Sequence, residues 1–500
     1  MLRLALLVLL LASGAMPPGA ALAQVPASAG ALLERLDAAS DLTDTAEREA
    51  ALDAIWDALR EADRIPFASG DSAVFLWRGA ATGVAVAGDH TGWDPSRAPL
   101  ARIGQGDIWA RVERFPPEAR LDYKLVLNGS TWVLDPHNPN RQWSGFGPNS
   151  ELRMPLWRPA PETEIAPGVA RGQMSAPVRV NSAAYGADVV YRVYTPAGYD
   201  RLADLPVVYA TDGHEYADDR LGALRIVLDN LVATREVEPA IVVFIDPRLD
   251  GQNRRQAQYV QNQGFAAFVA TELVPAIDAQ YRTRADRDGR VILGTSLGGL
   301  FAAYLGVRHP ETFGRLAIQS PAFWAGANPH WWTGPSIYDT VQASGAEWTV
   351  HMTTGTINDT EDGARRMRGV MEARGLELTY REVPEGHSWG NWRALLPDAL
   401  RTLLPARGAT PTEPPPGAAP RRFGIFPNPA RAFATFEVAG VRAPTRIVCT
   451  DSLGREALAV TARGEAHAVR VPLAALAPGV YACTAGAGGS RVSKSLTVAR

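Results

Sequence analysis

The spacing of apolar residues changes several times along the chain, and each change marks a segment. Between residues 28 and 63, Leu32, Leu33, Leu36, Leu52, Ile55, Trp56 and Leu59 recur at steps of three and four. That is the period of a helix with one buried face, and it predicts a helical segment over 24–65 that packs on a neighbouring domain. From 66 to 155 the spacing shortens to strand-like runs: Val74-Phe75-Leu76-Trp77, Val84-Ala85-Val86-Ala87 and Tyr123-Lys124-Leu125-Val126-Leu127. Turn residues such as Asn128-Gly129 separate them, so a small β-sandwich is expected. Pro155 to Pro167 reads as a linker.

Residues 170–405 alternate short apolar runs with longer helical stretches. Val189–Tyr194, Pro206–Ala210, Ala240–Ile245, Val291–Leu293, Trp348–Thr354 and Leu376–Val383 read as strands, and Phe265–Tyr281 and Leu297–Val307 as helices. Strands interleaved with helices predict a mainly parallel sheet covered on both faces. The fold class is therefore α/β. Residues 406–421 are rich in Pro, Ala and Thr and read as a semi-extended linker. Residues 422–500 return to strand patterning and turns, which predicts a second small sandwich.

The N-terminus has the make-up of an export signal over 1–23. Arg3 is followed by the apolar run Leu4–Leu11 and by small residues at Ala21-Leu22-Ala23. That run is too short for a permanent membrane anchor. The expected mature chain begins near Gln24 and works outside the cytoplasm. A net charge of −3 gives no basic surface for nucleic acid or anionic membrane. The two cysteines, Cys449 and Cys483, could pair in an oxidising compartment, but sequence leaves their separation open.

The strongest chemical signal is Gly294-Thr295-Ser296-Leu297-Gly298-Gly299, between the strand Val291–Leu293 and a helix opening at Leu297. A nucleophilic serine needs this strand–turn–helix setting. The turn is tight, and Gly294 and Gly298 remove side chains that would crowd it. The helix N-terminus favours a developing oxyanion. Free serine is not nucleophilic at neutral pH, so a base is required.

His387, in the loop Pro384-Glu385-Gly386-His387-Ser388-Trp389 after a strand, is the expected base. His309 and His351 suit structural positions better, and His330 sits in a Trp-rich loop. The acid that orients the base is expected after the strand Trp348–Thr354. Asp359 is the first choice there and Glu361 the alternative, while Asp362 starts a helix over Ala364–Ala373. A second oxyanion N–H is expected from His214 in Thr211-Asp212-Gly213-His214-Glu215, beside that of Leu297, with Glu215 as the alternative donor. No metal or cofactor motif is found. Asp135, Asn138 and Asn140 form too weak a pattern, and Asn128-Gly129-Ser130 reads as a turn.

These residues resemble the esterase D-like family, particularly its enterochelin esterase-like branch, over about residues 66–405. The resemblance lies in Thr211–Tyr216, Asn253-Arg254-Arg255, Glu272–Pro275, Gly294–Gly299 and Gly386-His387-Ser388-Trp389. It implies an α/β-hydrolase fold and hydrolysis of carboxylic esters by Ser296, His387 and an acid at Asp359, with siderophore lactones or feruloyl and acetyl esters of polysaccharides as substrates. The 66–155 segment is similar to the early-set sandwich of such enzymes, which itself resembles starch-binding modules (CBM48-like). Trp77, Trp93, Trp109 and Trp132 could stack on a ring there, although most are expected to be core.

The C-terminal segment resembles the sorting domain of type IX secretion, through Phe426-Pro427-Asn428-Pro429-Ala430, Asp451–Arg455, Pro478-Gly479-Val480-Tyr481 and Lys494-Ser495-Leu496. That implies the secretion machinery as a partner and a secreted or cell-surface location. Two rivals stand beside hydrolysis: acyl transfer by the same three residues, and a non-catalytic carbohydrate-binding surface protein.

Overall fold

The structure, a computed structural model, describes residues 24–406 and, beyond them, 422–426, 430, 432–439, 445–451, 455–462, 466–474, 476–487 and 490–499. The expected signal 1–23, nearly all of the 406–421 linker, Pro427-Asn428-Pro429 and Ser452-Leu453-Gly454 lie outside the described residues. The chain divides into two units, Met1–Arg407 and Gly408–Arg500.

The first unit opens with two helices, α1 (Ala29–Ser40) and α2 (Thr45–Glu61), where the apolar spacing suggested one segment. Asp44 makes the break: its side chain accepts from the Glu47 N–H and caps a fresh helix. The apolar stripe is buried as its spacing requires. Leu32, Leu36, Leu52, Ile55 and Leu59 share a core with Phe67, Val74, Leu76 and Ile108 of the sheet that follows.

That sheet is antiparallel, in the order β1 (Phe67–Ser69), β2 (Ser72–Arg78), β5 (Ile108–Arg114) and β4 (Ala101–Arg102). A second antiparallel sheet orders β3 (Val84–Gly88), β6 (Arg120–Leu127), β9 (Gly147–Arg153) and β8 (Arg141–Ser144), with β7 (Thr131–Val133) on β6. Phe75 of the first sheet and Val86, Leu121, Tyr123 and Leu125 of the second meet in one core. Asn128 and Gly129 both take left-handed φ values, 53° and 78°, and turn β6 into β7.

The nine-stranded sheet that follows has the order β10-β12-β14-β13-β17-β18-β19-β20, with β11 on β12. Its antiparallel edge is β10 (Gln173–Met174), β11 (Val178–Ser182) and β12 (Ala187–Thr195). Its parallel body is β13 (Val207–Ala210), β14 (Ile241–Asp246), β17 (Arg290–Thr295), β18 (Arg315–Gln319), β19 (Thr349–Gly355) and β20 (Glu377–Val383). A short hairpin, β15 (Arg248–Leu249) and β16 (Gln252–Asn253), follows β14.

The continuous apolar runs arise because both faces are covered. Val207 and Tyr209 join a core with Leu300, Phe301 and Leu305 on one face. Val208 and Ala210 join Leu228, Leu231, Leu396 and Leu400 on the other. The helix expected over Phe265–Tyr281 starts at Gln263 and widens over Phe268–Leu273, ahead of Pro275. Proline has no N–H to give, and its ring would strike the carbonyl four residues back. Strand β18 and the helix Leu224–Ala233 were not expected.

In a parallel sheet every strand ends at the same edge. The loops after β13, β17, β18, β19 and β20 therefore converge, and ligands bind at that edge.

The second unit has two antiparallel sheets. One orders β21 (Arg422–Phe426), β22 (Phe433–Ala439) and β25 (Ala466–Pro472). The other orders β24 (Glu456–Ala462), β23 (Thr445–Thr450), β26 (Gly479–Ala487) and β27 (Ser490–Val498). Cys449 and Cys483 face each other across β23 and β26 and form a disulfide inside the unit's core. Among the described residues no helix is long and apolar enough to cross a membrane.

Candidate active site

Strand β17 runs straight into the helix α3 (Leu297–Arg308), and Ser296 sits at the bend with φ 57° and ψ −119°. Side chains other than glycine avoid that region, and a tight surrounding structure must impose it. The neighbours do so. A Cβ on Gly294 would overlap the Gly298 carbonyl, and a Cβ on Gly298 would overlap the hydroxyl of Thr211, the residue that follows β13. Gly298 is thus required by the neighbouring loop as well as by the turn itself. Leu297 opens α3, so its N–H has no carbonyl of its own helix behind it.

His387 lies in the loop between β20 and the helix α4 (Trp389–Leu403). Its Nε2 is 3.0 Å from the Ser296 Oγ, and its Nδ1 is 2.6 Å from Asp359 Oδ1. The ring packs edge-on against Trp392 at 4.9 Å between centroids. The Asp359 side chain is fully buried, whereas that of His387 is 34% exposed. Burial pushes the Asp359 carboxyl up, but hydrogen bonds from His387, Ser320 and the Gly355 N–H outweigh it and leave the group below its ordinary value. The last two of these bonds fall on Oδ2: Ser320 Oγ donates at 2.6 Å and the Gly355 N–H at 2.5 Å. One carboxylate oxygen is anchored to the core while the other faces the imidazole.

The alternative acid, Glu361, is the first residue of the helix Glu361–Ala373, and Asp362 is the second, so that helix begins three residues before the expected Ala364. An acid is stabilised at such a terminus without any partner. Asp359, by contrast, is the carboxylate hydrogen-bonded to His387. His351 is buried, with its Nδ1 3.0 Å from the Thr402 hydroxyl, and burial lowers its pKa to about 4. His309 lies 3.3 Å from Glu311.

The loop after β13 approaches the same point. Asp212 has a left-handed φ of 49°, and Gly213 starts a short helix in which His214 is second. A Cβ on Gly213 would overlap the backbone of Phe244 and Ile245. Arg255 Nε donates to Asp212 Oδ1 at 2.6 Å, and its Nη2 to the Thr295 carbonyl at 3.3 Å. This one side chain ties the His214 loop to the serine bend. Sequence reading did not single out Ser320, Asn391 or Trp392, and it took Arg255 only as part of a resemblance. Ser320 was missed with its strand. Asn391, whose amide donates to the Gly386 carbonyl at 3.0 Å, lies one helical turn beyond His387 and could have been found there.

Ser296 and His387 open onto a cleft of about 610 Å³. Its walls include Glu215, Trp389 and Trp392 from the nine-stranded part and Asp89, Trp93, Trp132 and Phe146 from the preceding sheets. Trp93 and Trp132 stack at 6.5 Å with an interplanar angle of 24°, and Trp132 is 44% exposed. Trp77 and Trp109 pack against the core instead. Burial, helped by the charge of Asp212, pushes the Glu215 carboxyl up to about 7. Among the described residues no cluster of His, Cys, Asp and Glu could hold a metal. Asp135 and Asn138 are engaged with the Tyr123 hydroxyl at 2.7 and 3.1 Å.

Glu385, two residues before His387, is buried 3.7 Å from the Arg120 guanidinium, which already holds Asp122 and Glu151 at 2.5 Å each. Burial raises its pKa from 4.5 to about 7 despite that cation. An acid raised on folding binds its proton more tightly in the native state. Its contribution to stability is therefore full below the unfolded pKa near 4.5 and lost as pH rises through about 7. Glu385→Gln is expected to remove this loss. Urea titrations at pH 4 and pH 8 should show the variant gaining about 3 kcal/mol on the wild type between the two. A difference that does not change with pH would contradict the assignment.

Comparison with known proteins follows the same core. Residues 182–403 match the family model described as "Putative esterase". The uncharacterized protein YjcH of Bacillus subtilis (strain 168) is 29% identical over 222 residues, spanning 42% of this chain and 90% of that protein. The iron(III) enterobactin esterase of Dickeya dadantii (strain 3937) is 28% identical over 225 residues, 42% of this chain and 51% of its own length. Among solved structures, ferric enterobactin esterase from Salmonella typhimurium superposes with a TM-score of 0.57 at 20% identity, covering 66% of this chain and 93% of that one. The chain is a carboxylic ester hydrolase with an α/β-hydrolase-type core.

Proposed function

We propose that ester hydrolysis here runs through Ser296, His387 and Asp359. The observation that carries this reading is the unbroken line of two hydrogen bonds, from Asp359 to His387 at 2.6 Å and on to Ser296 at 3.0 Å. His387 Nε2 takes the serine proton as Oγ attacks the ester carbonyl. Asp359 keeps the other ring proton on Nδ1 and stabilises the imidazolium. The N–H groups of Leu297 and His214 receive the oxyanion. The tetrahedral intermediate expels the alcohol with a proton from His387, and water then releases the acyl group by the same steps in reverse. The purified chain incubated with nitrophenyl acetate at low pH should gain one acetyl group on the peptide containing Ser296. Labelling elsewhere, or none above background, would refute this.

The reading extends to substrate and location. An acyl or lactone ester bearing an aromatic ring, of the siderophore-lactone or feruloyl kind, suits a cleft walled by Trp93, Trp132, Trp389 and Trp392. The iron(III) enterobactin esterase of Dickeya dadantii supports that class. Trp132→Ala is expected to raise KM for a feruloyl ester roughly 3–10-fold with kcat unchanged, the worth of one aromatic contact. An equal effect on an acetyl ester would point away from ring stacking. In the same reading, 66–155 is a small early-set sandwich, 422–500 a sorting sandwich, and the chain is exported by its N-terminal signal. The pairing of Cys449 with Cys483 suits an oxidising compartment.

A further inference from the structure

The loops that carry His387 and Asp359 rest on more than the nine-stranded sheet. Arg120 opens β6, in the sheet pair that precedes it in sequence. Its backbone bridges to Glu385, with the Arg120 N–H donating to the Pro384 carbonyl at 3.4 Å. Its guanidinium is buried. Nε and Nη2 donate to Glu151 and Asp122, both of the same sheet, at 2.5 Å each. Nη1 is left to reach across: it donates to Ser388 Oγ at 2.9 Å and lies 3.7 Å from Glu385 Oε2. One rigid, planar cation thus holds a residue on each side of His387. Trp157 Nε1 adds a bond to Glu385 Oε1 at 3.3 Å.

The acid loop is held from the same side. Asn358 Nδ2 donates to the Asp89 carbonyl at 2.9 Å, and Asp89 Oδ2 in turn accepts from the Asp122 N–H at 2.8 Å. The two loops also join each other, through the Ile357 N–H and the Glu385 carbonyl at 3.2 Å. The glycines around His387 reflect how close the approach is. A Cβ on Gly386 would overlap the Asp89 carboxylate, and one on Gly390 would overlap the Arg120 guanidinium.

We propose that the sheet pair of residues 66–155 is part of the catalytic apparatus: Arg120, through Ser388 and Glu385, and Asp89, through Asn358, are positioning residues that keep His387 and Asp359 aligned with Ser296. The proposal rests on the catalytic reading of those three residues. Alignment matters because a displacement of about 1 Å can cost on the order of 10²-fold in rate.

Removing Arg120 would strand several buried carboxylates and could unfold the protein. The test therefore uses Ser388→Ala, and Asn358→Gly, which suits the left-handed φ of 49° there. In the full chain, below the melting temperature, each should lower kcat for nitrophenyl acetate about 10-fold with KM within about twofold. The rate of Ser296 labelling by a fluorophosphonate should fall by the same factor, and Ser388→Thr should restore both. Variants that melt earlier but turn over and label at wild-type rates would show cohesion only and overturn the proposal. A wild-type chain that neither turns over nor labels would instead remove the catalytic reading, and this proposal with it.

Discussion

Ser296→Ala is expected to lower turnover of nitrophenyl acetate by at least ~10³-fold, and His387→Ala by a similar factor. The double variant should fall no further, because a nucleophile and its base act as one unit and either loss disables both. What survives would come from the oxyanion donors and from binding, which neither substitution touches. The backbone at Ser296 is held by Gly294, Gly298 and Thr211 rather than by its own hydroxyl, so the alanine variant should fold. Steady-state kinetics on the three variants, with melting curves as control, decide the matter. Equal rates in wild type and Ser296→Ala would remove the serine from the chemistry.

The second large effect is expected at Asp359. Asp359→Asn should reduce kcat by roughly 10²–10⁴-fold with little change in KM, whereas Glu361→Gln should stay within about twofold of wild type. An amide in place of the carboxylate can turn an N–H toward Nδ1. The imidazole then carries its proton on Nε2, where it cannot accept from serine. Ser320 Oγ and the Gly355 N–H donate to Oδ2 and would favour an amide oxygen there, which directs the amide nitrogen at His387. The reverse outcome, a silent Asp359→Asn and an impaired Glu361→Gln, would move the acid to the helix terminus.

Signals that are local in the chain were legible. Strands β13, β14 and β17 are apolar because both faces of the sheet are covered, and the glycines around Ser296 mark a bend that few other residues allow. The placement of His387 beside Asp359 was legible because each follows a strand of the parallel sheet, which sends its loops to one edge. Groups defined only by a partner far away in sequence were not legible. Ser320 reaches Asp359 across 39 positions and Arg120 reaches Ser388 across 268, and neither lies in a recognisable pattern. The split between α1 and α2 turned on a single cap at Asp44, which the apolar period does not report. Trp132 and Trp109 look alike in sequence, yet one lines the cleft and the other packs in the core.

With Ser296 as the proposed nucleophile, its left-handed backbone after β17 sets heat tolerance against turnover. A non-glycine residue in such a conformation costs about 1–3 kcal/mol. Glycine at position 296 would hold that bend with less strain and steady the whole fold, at the loss of the hydroxyl that faces His387. Selection for thermal robustness alone would therefore press this position toward an inert protein, and a thermostabilised form of the enzyme has to find its gains elsewhere in the chain.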